Sequence, residues 1–394
     1  MPVHSPASVA VIGGGAMGSA AAWQLALRGH RVVLFEQYGP GHRRGASHGS
    51  SRIFRHAYTH RRYINLATRA DRLWRQLERL DGGRVYTPTG AVDHGHPAEV
   101  FALSRALTEA GVDNSLLRPK EAALRWPGIR FDTMVLHHPA AGRIDADRAV
   151  AALQRQAAAA GADVWHHTPV TGLRLLPSGV RVVTDPGHLR FDQAVLATGA
   201  WTSKVLGSLP GLHRELPALR TTQEQPAHFA SVGETVDWPS FIHHPGANLA
   251  TAPGTGGIYG LSSPDGVKIG EHGSGPEVDP DTRDFLPDPA GITRLQDYAA
   301  TWLPGVDPAS AKASTCLYTT TPDRHFIVDR SGPITVLAGF SGHGFKFTPA
   351  IGELAAVLVT GAARAPTEFA FGRPATTPPG TALAPVVHQI RQGS

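Results

Sequence analysis

The chain has 394 residues, 41% of them hydrophobic and 18% charged, with a formal net charge of +5 at pH 7. That length exceeds one ordinary core, so two domains are expected, and the composition is that of a soluble globular protein. No basic stripe interleaved with aromatics speaks for nucleic acid, and no run of about 18 apolar residues speaks for a membrane span. The single cysteine, Cys316, rules out an internal disulfide. With no signal-peptide pattern after Met1, a reducing cytoplasm is the expected location. Of the 37 basic residues only five are lysine: Lys120, Lys204, Lys268, Lys312 and Lys346. Each is notable, because only an amine loses its proton at modest cost when buried.

In chain order, residues 8–13 read as a short, fully buried strand of the parallel-sheet kind. Gly13-x-Gly15-x-x-Gly18 follows at once, then an Ala-rich helix over about 16–28, ended by Gly29. A second strand, 31–35, runs into Glu36. Strand, glycine turn, helix and terminal acid in this register are a dinucleotide fingerprint. The glycines let backbone approach a pyrophosphate at the helix N-terminus, while Glu36 accepts from ribose hydroxyls and disfavours a 2′-phosphate. The motif alone leaves NAD and FAD open.

Residues 45–56 form a polar loop carrying Arg52 and Arg55, either a solvated basic loop or a cover over the cofactor. A helix over about 61–80 follows, with Trp74 and Leu77 on its apolar face. Residues 163–198 read as a small sheet and a return strand that ends in Thr198-Gly199-Ala200-Trp201. This second close approach of glycine to a dinucleotide is common in flavin enzymes and turns the expectation to FAD. Alternation around Lys268 suggests a strand with one face toward a cavity, the alternative being a solvent-facing lysine. The His-His pairs at 137–138, 166–167 and 243–244 lack metal spacing and read as surface histidines. Packing and chemistry are both open for Cys316, since a buried free cysteine is commonly a small hydrophobe.

These segments make the chain resemble the monomeric sarcosine oxidase and N-methyltryptophan oxidase branch of the D-amino-acid-oxidase-like flavoproteins, over most of its length. The resemblance is carried by Gly13 to Gly18, His48-Gly-Ser-Ser-Arg52-Ile-Phe-Arg55-His-Ala-Tyr58, Ala200-Trp201, Val267-Lys268-Ile269-Gly270, Val278-Asp279-Pro280-Asp281-Thr282, Cys316-Leu-Tyr-Thr-Thr-Thr-Pro322-Asp323-Arg-His325-Phe326, and 339–347. It implies an α/β fold with an α+β insert. A Rossmann-like FAD domain would comprise 1–88, 145–215 and 316–394, and a mixed-sheet substrate domain 89–144 and 216–315.

The resemblance also implies roles. Cys316 would join the flavin covalently. His48 and Arg52 would pack on its ring, and Lys268 would activate dioxygen from the other side. Arg55 and Lys346 would clamp the substrate carboxylate, with Tyr259 and His272 lining the pocket and taking part in catalysis. Gly13, Gly15, Ala16, Met17, Gly18, Glu36, Gly199, Trp201, Gly342, Gly344, Phe345 and Lys346 complete the expected cofactor contacts. The implied activity is oxidation of a carboxylate-bearing secondary amine by a monomer, with dioxygen reduced to hydrogen peroxide. A cyclic imino acid, a biosynthetic tailoring substrate, an acceptor other than dioxygen, and a non-catalytic nucleotide-binding regulator are the alternatives. The chain departs from the sarcosine pattern in a short turn between Tyr259 and Lys268, in Glu271 standing where an aromatic is expected, and over 217–257. Substrate choice is therefore open.

Overall fold

A computed structural model describes residues 7–213, 216–232, 238–246 and 256–374. Residues 1–6 and 375–394, assigned above to the FAD domain, lie outside the described residues, as do 233–237 and 247–255 of the unmatched stretch.

Two sheets organise the chain. The first has six strands in the order Ile327–Ser331, Ile334–Ala338, Gln193–Leu196, Ser8–Ile12, Arg31–Phe35, Asp163–Trp165. Its pairings are parallel except at the outermost hairpin. Ser8–Ile12 sits inside this sheet with Val9 to Ile12 buried, as an apolar run without alternation requires. Helix Ala16–Ala26 is buried on almost every side, because it packs on helices Ala146–Ala159 and Thr348–Val359 as well as on the sheet. Its alanines and Gly352, which faces the Ala20 backbone, permit that close approach.

Helix Arg61–Asp81 is amphipathic. His60 caps it by accepting from the Arg62 amide, and it stops at Gly82. Tyr63, Ile64, Ala67, Ala70, Leu73, Trp74 and Leu77 recur at three- and four-residue spacing and are buried. Each large member contributes about 1.5–3 kcal/mol by leaving water.

The second sheet has eight strands: Lys312–Ala313, Ala227–Phe229, Gly266–Glu271, Ile258–Ser263, Ser240–His243, Ala91–His94, Val135–His138, Ser115–Leu117. It is mixed, the Ser240–His243 and Ala91–His94 pair being parallel among antiparallel neighbours. Helix Pro289–Trp302 covers it through Leu295, Tyr298 and Ala299. Two short ladders lie beside the two sheets, one joining Arg220–Glu224 to Cys316–Thr320, the other joining Arg52–Phe54 and Tyr86–Pro88 to Gly142–Ile144. Among the described residues no helix is long and apolar enough to cross a membrane.

One expectation is overturned. His167 is exposed and His166 half-buried, but His137, His138, His243 and His244 are buried. These four come from interior strands of the eight-stranded sheet, or from the residue just beyond one, and neither sequence neighbour reveals that.

Candidate active site

Between the two sheets lies a cavity of about 650 Å³, within the range of small-molecule and cofactor sites. One end is the glycine turn. Gly13 has φ +103°, and a Cβ there would collide with the Ala197 carbonyl. The Gly14 amide donates to Glu36 Oε2 at 2.8 Å and the Tyr38 amide to Oε1 at 2.9 Å. Burial pushes the Glu36 carboxyl up, but its bonds to His42, Tyr38 and Gly14 outweigh this and hold it below its ordinary value. A carboxylate has about four acceptor positions, so Glu36 retains capacity for a guest.

Of the cofactor contacts named from sequence, all line this cavity except Gly18. A Cβ at Gly18 would strike the Gly13 carbonyl, so this glycine serves helix–strand packing.

Along the middle wall, Arg52 donates to the carbonyls of Ser51 (2.8 Å), Ala46 (2.9 Å) and His48 (2.6 Å), which fixes the polar loop around it. Its guanidinium stands 5.6 Å from the Phe345 ring centroid. Burial, then Arg52 and Lys268, lower the His48 pKa to about 3, so its imidazole is neutral at pH 7. Lys268 comes from strand Gly266–Glu271 and is 7% exposed. Its Nζ donates to the Ser51 carbonyl at 3.5 Å. Burial and Arg52 lower the Lys268 pKa to about 7. Cys316 opens strand Cys316–Thr320 and lines the same wall; burial pushes its thiol up while Arg52 and Lys268 oppose that.

At the other end Arg55 and Lys346 converge on Tyr58, each with its cationic atom 5.4 Å from the ring centroid. Lys346 Nζ donates to Tyr58 Oη at 2.9 Å and to the His343 carbonyl at 2.7 Å. Trp74 Nε1 donates to the Lys346 carbonyl at 2.9 Å, so the amphipathic helix sets that backbone. Burial and the adjacent Arg55 hold the Lys346 amine well below its ordinary value. His272 is lowered to about 3 by burial, Arg324 and Lys346, and its Nδ1 faces Tyr318 Oη at 3.4 Å. Tyr58, Tyr318, Tyr38 and Ser47 line the cavity but were not singled out from sequence. Tyr58 and Tyr318 lie within the matched motifs, three residues from Arg55 and two from Cys316, which is the available signal.

These walls also carry unpaired polar groups. Among the described residues His48 Nε2, Ser51 Oγ and His272 Nε2 are buried without a partner, and all three residues face the cavity. Buried polar atoms of this kind call for a polar guest. Together with the glycine turn and the free acceptor capacity of Glu36, they fit a dinucleotide lying along the cavity.

Fold and site together define a dinucleotide-binding protein with a cationic cavity. The chain matches the family described as FAD dependent oxidoreductase (DAO) over residues 8–358, and it belongs to that family. It is similar to monomeric sarcosine oxidase of Bacillus sp. (strain B-0618), 33% identical over 366 residues that cover 89% of this chain and 91% of that protein. It is also similar to N-methyl-L-tryptophan oxidase of Yersinia pestis (strain Pestoides F), 27% identical over 359 residues, 88% and 93% of the two chains. Among solved structures, NikD, an unusual amino acid oxidase essential for nikkomycin biosynthesis, superposes with a TM-score of 0.80 at 26% identity, covering 93% of this chain and 98% of that one. L-proline dehydrogenase from P. horikoshii shares the fold, with a TM-score of 0.77 at 24% identity over 91% and 95% of the chains. The protein is an FAD-dependent oxidoreductase.

Proposed function

We propose that the protein oxidises secondary amines bearing a carboxylate, N-methyl amino acids being the leading class, and that it acts as a monomer. The observation that carries this reading is one cavity holding a double-cation end, Arg55 with Lys346, and a separate cationic wall, Arg52 with Lys268. When bound, FAD supplies a two-electron acceptor that can pass its electrons to dioxygen. The family and both named oxidases support the cofactor. On this reading the six-stranded sheet and its helices form the FAD domain and the eight-stranded sheet the substrate domain. Glu36 and the glycine turn hold the nucleotide, and Cys316 is the point of covalent attachment.

Arg55 and Lys346 fix the substrate carboxylate, and proximity of the amine to the acceptor contributes much of the rate. Cations at that end favour the unprotonated amine, the form able to give up a hydride. His272, neutral at pH 7, and Tyr259 shape the remaining wall and complete the catalytic pocket. An N-methyl substrate R–NH–CH3 with O2 and H2O yields R–NH2, formaldehyde and H2O2. Lys268 serves the dioxygen half of that balance by stabilising developing negative charge.

Anaerobic addition of sarcosine, then bulkier N-methyl amino acids, then pipecolate and proline, should bleach the flavin spectrum with one of the N-methyl compounds and release formaldehyde on aeration. Bleaching by pipecolate or proline alone would move the assignment to cyclic imino acids. An oxidised spectrum throughout would reject simple amino acids as substrates.

A further inference from the structure

Behind the cavity wall, and not among its lining residues, sits a fully buried cluster that the reaction scheme does not use. Asp93, on strand Ala91–His94, accepts from Arg55 Nη1 at 2.9 Å. The same carboxylate contacts His244 Nε2 at 2.8 Å through Oδ1 and His138 Nε2 at 3.3 Å through Oδ2. Asp93, His138 and His244 are each 0% exposed. The register explains how they meet. His138 stands opposite Ala91 on the neighbouring strand, and His244 follows strand Ser240–His243, whose Ile242 is opposite Asp93 and itself lines the cavity. Arg55 Nη1 also donates to the Ala57 carbonyl at 2.9 Å, so one nitrogen of the guanidinium is committed to the protein.

We propose that Asp93, braced by His138 and His244, is a positioning residue that anchors Arg55 by Nη1 and so turns the rest of its guanidinium toward the substrate carboxylate. A carboxylate alone on that sheet would be free to rotate; two imidazoles on its two oxygens fix its plane. An arginine recognises a carboxylate through a planar, directional fork, so its orientation decides affinity as much as its charge does. The inference rests on the carboxylate clamp proposed above.

The test is titration of the holoenzyme with acetate, followed by calorimetry and by perturbation of the flavin spectrum, with acetamide as the neutral control. Asp93→Ala removes anchor and charge; Asp93→Asn removes the charge but keeps an acceptor for Nη1. Positioning requires Asp93→Ala to bind acetate about tenfold more weakly, the scale of one charged hydrogen bond. KM should rise in parallel with little change in kcat, acetamide affinity should stay constant, and Asp93→Asn should recover most of the loss. Equal behaviour of the two variants would reduce Asp93 to a charge and overturn the positioning role. So would acetate binding in Asp93→Ala that matches the wild type. Should Asp93→Ala not fold, His244→Leu removes one brace and must weaken acetate several-fold; an unchanged affinity overturns the inference equally. Wild-type protein that binds no acetate would remove the clamp itself, a failure distinct from the loss of the Asp93 role alone.

Discussion

At the scale of single residues the site depends on cations kept out of water. Lys268 and Lys346 are 7% and 6% exposed, and in both the ammonium is disfavoured first by burial and then by a neighbouring arginine. For Lys268 the result is a pKa of about 7. The sign follows directly: the side chain is an ammonium below that pH and an amine above it. If its charge assists dioxygen reduction, reoxidation of the reduced enzyme should be fast below about pH 7 and slow as the pH rises through it. Lys268→Met should be slow at every pH, while its rate of reduction by substrate changes little. Stopped-flow mixing of reduced enzyme with oxygenated buffer across this range measures the profile. A variant that keeps the wild-type profile, or that slows both half-reactions equally, would refute the role.

At the scale of elements, the run Gly339 to Phe347 shows why a motif is more than its chemically active members. Gly342 has φ +75°, and a Cβ there would enter the Tyr318 ring two residues along the strand from Cys316. Gly342→Ala should therefore cost about 1–3 kcal/mol in backbone strain and also displace the strand that carries Cys316. Thermal unfolding, with the fraction of protein-bound flavin measured on the same sample, checks both effects; native stability and full flavin content would contradict the account.

Such elements were legible because their signals are local. The buried run from Val9 to Ile12, the glycine turn and the stripe from Tyr63 to Leu77 each follow from a spacing inside one segment. The histidine pairs at 137–138 and 243–244 are not legible, for the opposite reason. His138 and His244 reach Asp93 across 45 and 151 residues, and only strand order brings them together. Gly18 stands outside the cavity lining and against the Gly13 carbonyl, a distinction the sequence does not carry because turn and packing glycines look alike there. Glu271 illustrates the same limit, since its buried carboxylate meets Arg294 at 2.9 Å on the covering helix, a partner that no pattern around His272 reveals.

At the scale of the whole molecule the cavity is the seam between two sheets. Its walls take Ile12 and Phe35 from one sheet, Ile242, Tyr259 and Lys268 from the other, and Cys316 from the ladder beside them. A cofactor in that seam touches both layers, so its binding free energy becomes folding free energy for both. If Cys316 carries the flavin covalently, that contribution becomes independent of cofactor concentration. Cys316→Ser should remove the tether and leave the fold, because Cys316 is a part-exposed strand residue whose backbone pairs with Glu224 whatever its side chain. The wild type should keep its yellow colour in the acid-precipitated pellet, whereas the serine variant should release FAD to the supernatant. Without added FAD the variant should then melt at a lower temperature. FAD at about a hundred times its Kd should restore ~2.7 kcal/mol, in a concentration-dependent way that the wild type does not show. If the variant retains flavin through precipitation, the attachment lies elsewhere. Unfolding in two separate steps, with only one responding to FAD, would mean that the cofactor stabilises a single layer and that the seam does not couple the two.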